Sequence, residues 1–342
     1  MTRGRPSPVL ALACAGLAAG CAPALQDVRQ LGPRHCPSGF FATFVQLSAR
    51  QLALDAEGWR DELTVMRSTG VRNVVLQYTG DERGLFDRHL AAAPVRTLLA
   101  TAAEAGVTVL LGLFADPRWP LQFDLERGLP PPLGDAAATA ELVALCAGSP
   151  ACIGFYLSPE LDDARWGGPS GAIRVAGFVA RSARAIKEKA PGKLVAMAPF
   201  FTGQLPPAEH AAYWQPTLDL GLIDIFMLQD GVGTGRAEPE AAARYLGALR
   251  RIIRPGAPPE LWAVLELFRQ RHGPPRDEDP FEADPAGFSV IERSLQHEGL
   301  LADRMIAFSV PDYMDPRNGG RARQLYDAYV EWCDARLLPG GH

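Results

Sequence analysis

The sequence predicts an α/β fold, a single (β/α)8 barrel. Three observations carry that prediction. From residue 40 onward, short apolar runs rich in β-branched and aromatic residues alternate with helical stretches, and the unit repeats eight times. The runs are apolar on both faces, as strands are in a parallel sheet covered by helices. No dinucleotide fingerprint opens the first unit, which weighs against the alternative of a doubly wound open sheet.

The elements follow in order. The predicted strands are "FFATFVQL" (40–47), "NVVLQYT" (73–79), "VTVLLGLF" (107–114), "CIGFYLSP" (152–159), "LVAMAPF" (194–200), "IDIFMLQ" (223–229), "LWAVLELF" (261–268) and "MIAFSVP" (305–311). Helical stretches lie after each, over 55–70, 93–106, 135–148, 171–190, 207–221, 238–253, 284–299 and 319–333. Gly70, Gly106 and Gly299 stand where left-handed helix caps are expected.

The ends of the chain read differently. Residues 1–20 carry Arg3 and Arg5 before the apolar "VLALACAGLAAG", too short for a stable membrane-spanning helix. "LAAGC" resembles a bacterial lipobox, which implies cleavage before Cys21 and lipidation of that cysteine. Cleavage removes two arginines and takes the formal charge from -5 to -7. The predicted organisation is a signal peptide (1–20), a polar, Pro-rich tether (21–39), the barrel (40–336) and a short tail (337–342). The expected location is the cell envelope, with the protein held on a membrane by an N-terminal lipid and facing the periplasm or exterior.

Export makes disulfides the natural state of the remaining cysteines, Cys36, Cys146, Cys152 and Cys333. Four cysteines allow three pairings. A local bridge from Cys146 to Cys152 encloses only "AGSPA", and it leaves Cys36 with Cys333 to staple the two ends of the domain. No His lies at metal-site spacing from them, so no metal is expected.

In a closed parallel barrel the reactive face lies at the carboxyl ends of the strands. The polar and aromatic residues predicted there are Gln46, Gln77, Tyr78, Asp116, Trp119, Glu160, Asp162, Asp163, Gln229, Asp230, Glu266 and Tyr313, with Trp166, Phe200 and Phe268 as flat apolar neighbours. Glu160 follows the fourth strand and Glu266 nearly ends the seventh, so the two face each other across the mouth. Glycosidic hydrolysis requires such a pair, one acid for the leaving oxygen and one carboxylate for the sugar carbon. Asp162 and Asp163 add negative potential that raises the pKa of Glu160, but Asp is also a favoured cap.

This placement resembles the clan of retaining glycoside hydrolases with the acid/base after strand four and the nucleophile on strand seven. The resemblance implies Glu160 as acid/base and Glu266 as nucleophile; Pro159 stands where that clan carries Asn. Over residues 40–335, "FVQL", "VVLQYT", "FYLSPELDDARW", "IDIFMLQDGVG" and "LWAVLELF" resemble a bacterial family labelled domain of unknown function 4434, grouped with glycosidase-like TIM barrels.

Other chemistries lack their residues. No Lys ends a strand for Schiff-base or pyridoxal work, and no G-x-S-x-G elbow is present. "GVGTG" (231–235) misses the spacing of a nucleotide loop and reads as a tight turn beside the mouth. No cofactor is expected, and the acidic balance gives no footprint for nucleic acid. The expected partner is a poly- or oligosaccharide. A non-catalytic carbohydrate-binding lipoprotein and a ligand-free envelope scaffold are the competing readings.

Overall fold

A computed structural model of the chain describes residue 28 and residues 31–80, 91–113, 136–166, 168–271 and 281–337. Eight parallel strands close into a barrel: β1 (Phe40–Val45), β2 (Asn73–Leu76), β3 (Thr108–Gly112), β4 (Cys152–Leu157), β5 (Leu194–Met197), β6 (Ile225–Gln229), β7 (Glu260–Glu266) and, after a short two-stranded excursion, β10 (Arg304–Phe308). Closure comes from β1 pairing with both β2 and β10. All eight predicted strands form, and all but β6 end somewhat before the predicted run does.

Each strand sends alternate side chains to opposite faces. Phe44, Val75, Leu110, Tyr156, Met227, Trp262, Val264 and Ile306 fill the barrel interior. The other face meets the helices. Helix α2 (Ala56–Ser68) shows the pattern: Asp55 caps it by accepting from the Gly58 N–H, and Trp59, Leu63 and Met66 fall on one buried face. Helix α3 (Ala92–Ala105) ends at Gly106 in the left-handed conformation (φ 66°), and Gly70 after α2 is also left-handed (φ 94°).

Four expectations are corrected. Gly299 is right-handed (φ -61°), since the chain continues in a helical turn after helix α8 (Phe288–Glu298), with the Gly299 N–H donating to the Leu295 carbonyl. That helix starts four residues later than predicted. Residues Ala283–Pro285 instead form strand β9, antiparallel to β8 (Phe268–Gln270). The seventh predicted strand is therefore two: β7 stays in the barrel to Glu266, and β8 leaves it. The eighth strand stops at Phe308, and a π-helical turn (Val310–Met314) with Pro311 in its first turn follows.

Both disulfides pair as predicted, Cys146 with Cys152 and Cys36 with Cys333. The second joins the segment before β1 to the last helix, α9 (Gly320–Leu337). Around it, Tyr329 stacks on Phe40 at 4.9 Å between centroids, accepts from the Phe40 N–H at 2.7 Å and donates to the Thr69 carbonyl. Gly39 is obligatory at this seam, because a Cβ there would lie 2.2 Å from the Tyr329 hydroxyl. Among the described residues no helix is long and apolar enough to cross a membrane.

A disulfide stabilises mainly by restricting the unfolded chain, and more so for a longer loop. Cys333→Ser should therefore cost roughly 2–4 kcal/mol, and Cys146→Ser less. Urea unfolding midpoints under non-reducing conditions check the order; equal losses would contradict it.

Candidate active site

Gln46, Gln77, Glu160, Gln229 and Glu266 lie at the carboxyl ends of β1, β2, β4, β6 and β7. Two of the gaps between these strands are bridged by side chains. Gln46 Nε2 donates to Gln77 Oε1 at 2.5 Å, and Gln77 Nε2 donates to Glu160 Oε1 at 3.3 Å. Ser158 fixes the backbone from which Glu160 projects, its hydroxyl reaching the Gln77 and Leu113 carbonyls at 2.7 and 2.8 Å.

Glu266 is held from the opposite side by the "GVGTG" turn. Gly231 and Gly235 take positive φ (63° and 75°), which an L-residue adopts only under strain. The turn folds over β7 so closely that a Cβ on Gly233 would lie 2.5 Å from the Phe268 carbonyl and 2.8 Å from Glu266 Cβ. This approach lets the Thr234 N–H donate to Glu266 Oε2 at 2.8 Å. The turn beside the mouth predicted from the sequence is thus also a clamp on the carboxylate.

Glu160 and Glu266 belong to one electrostatic unit. Burial raises the Glu160 pKa, against the nearby Arg236 guanidinium and the hydrogen bond from Gln77. Burial likewise pushes Glu266 up to about 7; the Thr234 N–H and Arg236 oppose this, and the Glu160 charge adds to it. The same arginine therefore faces both carboxyls. Behind Glu266 lie two more buried acids. Asp230, 1 % exposed, accepts from the Val232 and Glu266 N–H groups, and burial and the charge of Glu266 push it well up. Glu298 on α8, 2 % exposed, is pushed well up by burial and then by Asp230.

The remaining predicted residues divide. Tyr78, Phe200 and Tyr313 are half-buried. Burial, then Asp312 and Glu266, raise the Tyr313 hydroxyl to about 12. Phe268 is buried against Phe281, Phe308 and Tyr313. Trp166 is also buried.

Asp162 accepts from the Ala164 and Arg165 N–H groups, the turn-capping role that Asp favours. Asp163, fully buried, accepts from the Thr202 N–H and hydroxyl and bonds His210 Nδ1 at 2.8 Å. Asp163, like Asp230, is engaged within the protein and does not line an open mouth. Asp116, Trp119 and Cys21 lie outside the described residues.

Sequence reasoning passed over Arg236, Thr234 and Glu298. Arg236 directly follows the "GVGTG" turn, so a cation next to a turn at a strand end was the available signal. Glu298 had none, because it comes from a helix. Among the described residues no group of His, Cys, Asp and Glu is arranged to hold a metal ion.

The raised Glu266 pKa has a stability consequence with a definite sign. The folded chain keeps a proton on Glu266 to about pH 7, whereas an unfolded Glu loses it near 4.5. Ionisation thus costs stability as pH rises from the lower value to the higher. Glu266→Gln keeps the acceptor for Thr234 and removes the charge. It should be more stable than the parent at pH 8, with the gain shrinking toward pH 4.5. Urea titrations at several pH values check this; a gain independent of pH contradicts it.

The fold has solved relatives. A candidate alpha-L-fucosidase from Bacteroides thetaiotaomicron superposes with a TM-score of 0.69 at 16% identity, covering 88% of this chain and 98% of the other. An endo-1,4-beta-D-mannanase from Thermotoga petrophila gives 0.52 at 14% identity, covering 86% and 99%. A beta-galactosidase from Halorubrum lacusprofundi gives 0.53 at 12% identity, covering 88% and 58%. At these identities the likeness shows the fold alone, a (β/α)8 TIM barrel. No curated protein matches the chain. Residues 41–319 match the model of the family described as "Domain of unknown function (DUF4434)", and the chain belongs to that family.

Proposed function

We propose that the protein is an exported, lipid-anchored glycoside hydrolase that cleaves a poly- or oligosaccharide by a retaining two-carboxylate mechanism. One observation carries the reading. Glu160 and Glu266 come from strands with β5 and β6 between them, yet they share one electrostatic environment with a common arginine. The solved relatives named as a fucosidase, a mannanase and a galactosidase support the substrate class by analogy of fold. The signal-peptide pattern and Cys21 support the anchor and the envelope location.

In this mechanism Glu160 protonates the leaving oxygen and Glu266 attacks the anomeric carbon. Glu160, deprotonated, then takes a proton from the water that releases the sugar. Arg236 and the Thr234 N–H favour the charge that Glu266 needs for attack. Burial opposes it, and the same burial favours the proton that Glu160 must hold. The productive arrangement has that proton on Glu160.

A second reading, a non-catalytic carbohydrate-binding lipoprotein, has one observation in its favour: Pro159 occupies the place of the clan's asparagine. Sugar bound at the mouth and left intact after long incubation would select it.

Assay on a panel of polysaccharides decides. Glu160→Gln and Glu266→Gln should each reduce turnover by at least ~100-fold; undiminished turnover in either removes its role. The product should retain its anomeric configuration by NMR, and inversion would remove Glu266 as nucleophile. On the acid side, kcat/KM should fall as pH drops below about 7, following Glu266 in the free protein. A limb near 4.5 would place the essential carboxylate elsewhere.

A further inference from the structure

Beside Glu160, the loops after β4, β5 and β6 enclose a cavity of about 340 Å³. That is within the range of small-molecule sites, ~300–1,000 Å³. Its wall includes Phe200, Arg165, Arg236, Gln204 and the turn at Asp162. We propose that this cavity is a subsite for a sugar ring carrying an anionic substituent, a carboxylate or a sulfate ester, held by Arg236 and Arg165. The proposal rests on the reading of the mouth as a saccharide site and narrows its substrate class.

The hydrogen-bonding inventory of the wall carries the inference. Its acceptors are engaged from within. Asp162 Oδ1 takes the Ala164 and Arg165 N–H groups at 2.9 and 2.7 Å, and Oδ2 lies 3.7 Å from Arg165 Nε. The Thr202 hydroxyl and N–H are both committed to Asp163 Oδ1, at 2.7 and 2.9 Å.

What the wall offers a ligand is chiefly donors. Gln204 is exposed and presents an amide that can donate or accept. The Arg236 guanidinium sits over the Phe200 ring, its carbon 4.4 Å from the centroid. A stacked guanidinium keeps its N–H groups at its edges, free for in-plane bonds. A neutral hydroxyl both donates and accepts, whereas a carboxylate or sulfate only accepts, and it forms paired charge-assisted bonds with arginine. The excess of donors therefore selects the anion. Of the nearby carboxyls, Asp162 is offset by Arg165 at 3.7 Å, and burial raises the pKa of both Glu160 and Glu266.

The test is binding to the intact protein, by titration calorimetry and ligand-detected NMR. The probes are D-glucuronate, D-glucose 6-sulfate and D-glucose. At least one anionic probe should bind about tenfold tighter than glucose, and which of the two does so identifies the substituent. Arg165→Gln and Arg236→Gln should each weaken that probe about tenfold, and Arg165→Gln should leave glucose unchanged. Arg236→Lys should recover part of the loss, since it restores the charge without the fork. Equal affinities for the three probes, anion binding indifferent to both substitutions, or no binding of any probe would overturn the proposal. Arginine-dependent anion binding by a protein that cleaves no glycan would keep the subsite and remove the hydrolase. Cleavage of a neutral glycan without anion preference would do the reverse.

Discussion

The pairing of β1 with β10 is the constraint on which the other features depend. An open sheet of the same eight strands would leave β4 and β7 two strands apart on one flat edge, with their carboxyls far from each other. Closing the sheet turns that separation into a crossing of the mouth. The seam is short, and it is held by more than its ladder: Phe40 stacks on Tyr329, and the Thr43 hydroxyl donates to the Ala307 carbonyl and accepts from the Val310 N–H. The last helix thus locks the first strand in place, and the geometry of the rim follows.

The rim itself is built asymmetrically. Glu160 is supported by a row of neutral amides, which leave its protonation open to change. Glu266 is supported by a backbone N–H on a glycine-rich turn and backed by two further buried acids. Desolvation, with the charge of Glu160 added, makes ionisation at Glu266 costly, while Arg236 faces both carboxyls and moderates the cost. A pair of acids in different surroundings is the usual physical basis for giving two like groups different tasks.

Much of this was legible from the sequence. Strand positions were, because a strand buried on both faces leaves an unbroken apolar run. The places of Glu160 and Glu266 at the ends of β4 and β7 were, because those ends follow from the apolar runs. Side-chain direction was not. Asp230 follows Gln229 by one residue, and the pleat sends the two to opposite faces, so a count of polar residues at a strand end cannot separate them. Asp163 reads as a mouth acid until its partners from the next loop, Thr202 and His210, are in place. Gly299 fits a cap by composition, yet a glycine can also continue a helical turn. The start of α8 was misplaced because residues 283–285 have no strand signal of their own; β8 imposes their conformation.

The bond between Cys36 and Cys333 spans 297 positions of the chain. Covalently, then, the barrel is a ring and not a string. One peptide bond severed anywhere inside that ring leaves every fragment still attached to the rest. For a protein exposed to proteases, a first cut opens a loop but releases no piece, and the two halves of the mouth remain tethered to each other.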